Sequence, residues 1–182
     1  MSKPYKVYEN FLDESYFKEI QALVTSKDFP WFYLPRSGSG NDHIDFDFMF
    51  FHSFYHFRNG VNSDFFQMML PLVMKTGIEA GKTNIMRVKA NLYTNQASNI
   101  VHKKHVDYVM EKDYKTAVFN FTTCDGGTIF YIDGKEEFVE SKENSVVIFD
   151  GPTEHAGVTQ KNSNLRVLLN MDFNDGEYLG RY

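Results

Sequence analysis

Apolar residues fall on one helical face after Asp13, at Tyr16, Phe17, Ile20, Leu23 and Val24. Asp13 is a residue type that caps helices well. Pro30 to Leu34 reads as extended and aromatic, and Arg36–Asp42, rich in Gly and Ser, as a flexible loop. Seven aromatics between Phe46 and Phe57 read as strand. A second helix is predicted from a cap at Asn62–Asp64 to about Lys75, ended by Gly77, with a kink or early stop at Pro71. From Thr83 the pattern changes to eight short β runs: 85–95, 100–109, 115–123, 128–132, 136–140, 145–150, 154–159 and 165–173. Turn residues separate them, and Asp133-Gly134 between two runs is a strong hairpin signal. Eight strands with no helix between them predict a mainly β, jelly-roll core. The preceding helices would pack on one of its sheets, an α+β arrangement. The expected organisation is a single domain over 1–182: N-terminal support at 1–82, the core at 83–173 and a tail at 174–182.

Composition narrows this picture. A chain of 182 residues, 42% hydrophobic, suits one domain with its own core and excludes disorder. No apolar run approaches the length a bilayer span needs, and the N-terminus has no leader-like apolar segment. Cys124 is the lone cysteine, which fits a reducing cytoplasm. The net charge of −5 lies wholly in residues 92–182, which hold 9 Lys and Arg against 14 Asp and Glu. That balance disfavours nucleic acid as a partner. It leaves a peptide, a basic one included, as the better expectation.

The candidate chemistry is in the same half. On a strand, His105 and Asp107 would point to one face and offer an imidazole and a carboxylate to one point. His155 follows 48 residues after Asp107, between Gly151-Pro152 and Gly157. Arg166 lies within the apolar run Leu165–Leu169. A buried arginine without a partner costs several kcal/mol and cannot shed its proton. Either its strand face is solvated, or it holds the carboxylate of a small ligand. Two histidines and one carboxylate on converging strands are the ligand set of a facial triad for non-haem Fe(II).

The spacing His105-x-Asp107, His155, Arg166 on an eight-strand jelly roll resembles the 2-oxoglutarate and Fe(II)-dependent oxygenases. Within them the chain is similar to the small prolyl 4-hydroxylase-like branch, which includes phage-encoded members. Asn10-Phe11-Leu12-Asp13 and Gly126-Gly127-Thr128-Ile129-Phe130 carry that likeness. It covers about 85–173 well and the N-terminal third loosely. The resemblance implies that His105, Asp107 and His155 bind Fe(II) and that Arg166 holds the distal carboxylate of 2-oxoglutarate. Tyr93, with Asn91 on the same face, would contact 2-oxoglutarate, and Tyr108 would shield the iron or touch substrate. O2 would be the co-substrate, with ascorbate sustaining activity. The implied reaction is dioxygenase hydroxylation of a prolyl residue of a peptide or protein, in the host cytoplasm for a phage-encoded enzyme. The alternatives are a nucleic-acid oxidative demethylase and a non-enzymatic jelly-roll binding protein.

Two features depart from the branch. Leu168 stands where many relatives carry a hydroxyl residue as second carboxylate anchor, and the stretch 94–99 is long enough for a mobile lip. The loop at 35–45 is a second candidate lid. His102, three residues from His105, is expected on the opposite strand face and outside the ligand set. His43, His52 and His56 are expected to be ordinary surface or core histidines. Cys124 has no role in this chemistry.

Overall fold

The computed structural model describes residues 3–36, 47–109 and 111–176. The flexible loop at 36–42, the lid at 35–45, the tail beyond Gly176 and His43 therefore fall largely or wholly outside the described residues. The elements in chain order are β1 (Tyr5–Tyr8), α1 (Glu14–Val24), β2 (Phe32–Leu34), β3 (Met49–His56), β4 (Gly60–Val61), α2 (Phe66–Ala80) and β5 (Asn84–Thr94). Then come β6 (Lys115–Asn120), β7 (Cys124–Ile132), β8 (Lys135–Ser141), β9 (Ser145–Asp150), β10 (His155–Val158) and β11 (Leu165–Asn174).

These strands form two antiparallel sheets, the mainly β jelly roll expected from the strand pattern. The larger has eight strands, in the order β1-β9-β6-β11-β5-β3-β2, with β4 also paired to β3. The smaller has the order β10-β7-β8. Period-two alternation divides the large sheet between two environments. Val88, Ala90 and Leu92 of β5 and Val167, Leu169, Met171 and Phe173 of β11 pack with Phe17 and Ile20 of α1 and Met69 and Leu72 of α2. Tyr93, Val118, Val147, Phe149 and Leu168 point the other way, toward Phe130 of the small sheet. Both helices thus cover one face of the large sheet, and the inter-sheet space is left to the other.

Seven of the eight predicted β runs are strands. The run at 100–109 is not. It touches β10 only at two bridges, Val101 to Val158 and His105 to His155. Four steps along this segment oppose three along β10, so one residue is surplus and a regular ladder cannot continue.

The helices also refine expectation. Asp13 caps α1, its carboxylate accepting from the Ser15 N–H. The second helix does not end at Gly77 but runs on to Gly81, which takes a left-handed conformation with φ 68°. Gly77 lies inside it because a Cβ there would stand 2.9 Å from the Lys82 carbonyl and 3.3 Å from the Phe173 ring. Its bare backbone lets the helix sit closely on β11. Pro71 neither stops nor breaks the helix. The Tyr16 hydroxyl of α1 donates to the Met68 carbonyl (2.7 Å) and accepts from the Leu72 N–H (3.3 Å). It relays the i to i−4 bond that the helix would otherwise make beside the proline.

Tyr16→Phe should leave both backbone groups without this partner and destabilise the protein by about 1–3 kcal/mol. In a Pro71→Ala background the cost should shrink, because a regular helical turn can form. Urea unfolding of the four proteins measures both effects.

Candidate active site

A cavity of about 220 Å³ lies between the sheets. Its floor is the inward-facing residues of the two central strands, where antiparallel register sets Tyr93 opposite Arg166, Asn91 opposite Leu168 and Lys89 opposite Asn170. Its other wall is β10 with the irregular segment 101–107.

His105, Asp107 and His155 meet at this wall. Their ligating atoms all lie within 4.8 Å of one another. Strand alternation is not what joins the first two, since Asp107 is in no strand. The bridge between His105 and His155 sets one imidazole beside the other, with ring centres 4.6 Å apart. Each ring has its Nδ1 against a backbone carbonyl: His105 on Lys103 (2.9 Å) and His155 on Thr153 (3.0 Å). A carbonyl can only accept, so both Nδ1 atoms carry the hydrogen and both Nε2 lone pairs face the cluster. Burial, opposed by the nearby Asp107 charge, lowers the His155 pKa and favours the neutral, ligating form.

Arg87 positions the carboxylate of this group. Its Nη2 donates to Asp107 Oδ1 (2.6 Å) and its Nε to Asp172 Oδ2 (2.7 Å). The Thr116 hydroxyl donates to the other oxygen of Asp172 (2.9 Å). Burial alone would raise the Asp107 carboxyl, but the Arg87 guanidinium, then the two imidazoles, hold it at about 2. Asp172, fully buried and near a second carboxylate, is pushed up by burial to about 7 despite Arg87.

The far end of the cavity belongs to Arg166. It is 1% exposed, and its guanidinium donates from Nη1 to the Val158 carbonyl (3.2 Å), while its Nε has no partner among the described residues. Its Cζ lies 5.7 Å from the Tyr93 ring centre. A Cβ added at Gly157 would come within 3.5–3.9 Å of His102, the Tyr93 hydroxyl and Arg166. The glycine thus keeps a space open beside the guanidinium. Asn91 Oδ1 is buried on the same floor without a partner among the described residues. A buried cation with an unused donor, beside a space kept free of side chains, fits a carboxylate ligand.

Comparison with known proteins gives a fold and no sequence match. No family profile matches the chain, and no curated protein matches it. Among solved structures, a 2OG-Fe(II) oxygenase family oxidoreductase from Burkholderia pseudomallei is similar at TM-score 0.73 and 16% identity, covering 94% of this chain and 85% of that one. A prolyl-4-hydroxylase from Pseudomonas putida follows at 0.66 and 15%, covering 95% and 94%. The viral collagen prolyl hydroxylase of Paramecium Bursaria Chlorella virus-1, solved as its 2OG complex, gives 0.61 and 14%, covering 97% and 98%. The fold is that of the 2OG-Fe(II) oxygenases.

Within this oxygenase fold, the cavity gathers His105, Asp107, His155, Arg166, Tyr93 and Asn91. Tyr108 is not among its lining. It packs against Arg87 and Tyr114, with Arg87 Cζ 5.6 Å from its ring centre. His102 does enter the cavity, against expectation, because the surplus residue in 101–105 removes strict alternation. Its Nδ1 pairs with Asp47 at 2.5 Å, and it stays outside the three-residue cluster. His52 is a structural histidine, bonded to the Pro30 carbonyl and the Ser63 hydroxyl. The stretch 94–99 is tied down: Asn95 donates to the carbonyls of Lys161 and Ser163, and Asn99 to that of Thr159. Sequence reading missed Arg87, Lys89 and Thr128 in the cavity. The only signal for the first two was their two-residue spacing with Asn91 and Tyr93.

Arg87→Met should strand two buried carboxylates and destabilise the metal-free protein by about 3–5 kcal/mol, read by urea unfolding. Asp172 holds a proton in the folded state that the unfolded chain, at 3.8, has released. This makes stability fall as pH rises from near 4 to about 7. Asp172→Asn should flatten that fall, visible as a difference in urea midpoints between the two proteins across this range.

Proposed function

We propose that the chain is a 2-oxoglutarate- and Fe(II)-dependent dioxygenase that hydroxylates a prolyl residue of a peptide or protein. The observation that carries this reading is one cavity with a two-histidine, one-carboxylate cluster at one wall and a buried, under-partnered arginine at the other end. His105 and His155 would ligate Fe(II) through Nε2 and Asp107 through a carboxylate oxygen, three ligands that leave positions open for small molecules. Arg87 would fix the direction of the Asp107 carboxylate. Arg166 would hold the distal carboxylate of 2-oxoglutarate by charge-assisted hydrogen bonds. With Leu168 in place of a second anchor, the hydroxyls of Tyr93 and Thr128, both lining the cavity, would complete that contact. Asn91 would offer its amide to the same molecule. Iron held there, with 2-oxoglutarate and O2, would supply the oxidising power to turn a C–H into a C–OH, with 2-oxoglutarate converted to succinate and CO2. The prolyl assignment is supported by the prolyl hydroxylases from Pseudomonas putida and the Chlorella virus, which share the fold over nearly their full lengths.

Anaerobic addition of Fe(II) and 2-oxoglutarate should produce a visible charge-transfer band. His155→Ala should abolish it. Arg166→Leu should weaken 2-oxoglutarate binding by about ten- to a hundredfold, the worth of a hydrogen-bonded charge pair. If the wild-type protein gives no band, the cofactor assignment fails. Incubation with proline-containing peptides, followed by mass spectrometry for the gain of one oxygen, tests the substrate class.

A further inference from the structure

Among the described residues, three Arg and Lys side chains line the cavity: Arg87, Lys89 and Arg166. Arg87 has Asp107 and Asp172. Arg166 is accounted for, in the reading above, by 2-oxoglutarate. Lys89 has no such partner. None of the described residues hydrogen-bonds to or forms an ion pair with its ammonium, which rests 5.1 Å from the centre of the Phe51 ring. Asp107 and Asp172 act on it only at a distance, and burial, helped by Arg87, lowers its pKa to about 8. A half-buried ammonium in the middle of a strand is costly to keep, and an apolar residue would serve the sheet better. Asn170, its cross-strand neighbour, lines the same cavity, and its side-chain amide makes no hydrogen bond to another described residue.

From this we infer that Lys89, with Asn170, recognises a carboxylate borne by the substrate close to the carbon that is oxidised. The inference rests on the dioxygenase reading and specifies its substrate. Position separates Lys89 from the co-substrate anchor. Lys89 and Tyr93, the register partner of Arg166, are four residues apart, about 13 Å along the strand. One carboxylate cannot bridge both cations. Charge leads to the same conclusion. A divalent metal, the Asp107 carboxylate, dianionic 2-oxoglutarate and Arg166 cancel, Asp47 pairs with His102 beside Tyr93, and Arg87 lies against Asp172, which burial pushes toward its neutral form. Lys89 remains as surplus positive charge, and a basic substrate group placed there would be repelled. The fitting ligand is an acidic prolyl compound: a proline with a free carboxylate, or a prolyl residue next to Glu in a peptide.

The test uses the protein loaded anaerobically with Mn(II) and 2-oxoglutarate and measures binding by calorimetry. One pair of probes is N-acetyl-proline and its primary amide. The other is acetyl-Pro-Glu-amide and acetyl-Pro-Gln-amide, so the two pairs separate a main-chain carboxylate from a side-chain one. In at least one pair, the acid should bind the wild-type protein tenfold or more tightly than its neutral partner. Lys89→Met should erase that preference, leave 2-oxoglutarate affinity within about twofold and raise the urea midpoint of the metal-free protein. Lys89→Arg should retain much of the preference. Equal or undetectable binding of acid and amide in both pairs overturns the inference. So does a Lys89→Met variant that loses 2-oxoglutarate affinity, since Lys89 would then serve the co-substrate. If the wild-type protein takes up neither metal nor 2-oxoglutarate, the dioxygenase reading itself falls. If it takes up both and shows no acid preference, only the present inference falls.

Discussion

The Arg87 guanidinium lies between two buried carboxylates, and the inner face of the large sheet is arranged around it. Asp107 comes from an irregular segment and Asp172 from β11, so this one side chain ties the open wall of the cavity to its floor. It also separates the chemistry of the two acids. Asp107 is held ionised, the form in which a carboxylate can ligate a metal, while Asp172 is pushed toward its neutral form by burial and by the charge across from it. Without the arginine, both acids would be desolvated with no compensating charge, and the segment carrying Asp107 would lose its attachment to β5.

The strands on either side of this contact serve two environments at once. On β5 and β11, one set of alternate residues is fully apolar and seals the face under the helices. The other set is Arg87, Lys89, Asn91 and Tyr93 against Asp172, Asn170, Leu168 and Arg166. Such a polar inner face is poor core material. Its stability cost is offset by the helix-side core, in which Phe17, Ile20, Met69 and Leu72 are fully buried. Close fit of α2 on β11 at Gly77, and the Tyr16 relay around Pro71, keep that side closely packed while the other side is left open for ligands.

Much of this was legible in the sequence, and the reason is locality. The start of α1 at Asp13, the Asp133-Gly134 hairpin and seven of the eight β runs follow from residue preferences over a few positions. The cluster of His105, Asp107 and His155 was legible because few residue types ligate metals and their spacing was suggestive. A strand through 100–109, which the spacing predicts, is not what assembles it. The bridge of His105 to His155 and the grip of Arg87 bring the three together instead.

What the sequence determined by itself was therefore the set of chemically capable residues and the two-residue alternation of the strands that carry them. Tertiary structure alone decided which face of β5 is enclosed. A polar residue at every second position reads equally well as a solvated strand face, so Arg87 and Lys89 gave no signal until the small sheet covered them. His102 entered the cavity for a related reason. The residue surplus between the two bridges to β10 breaks the alternation that predicted its direction, and that surplus exists only once the two segments are paired.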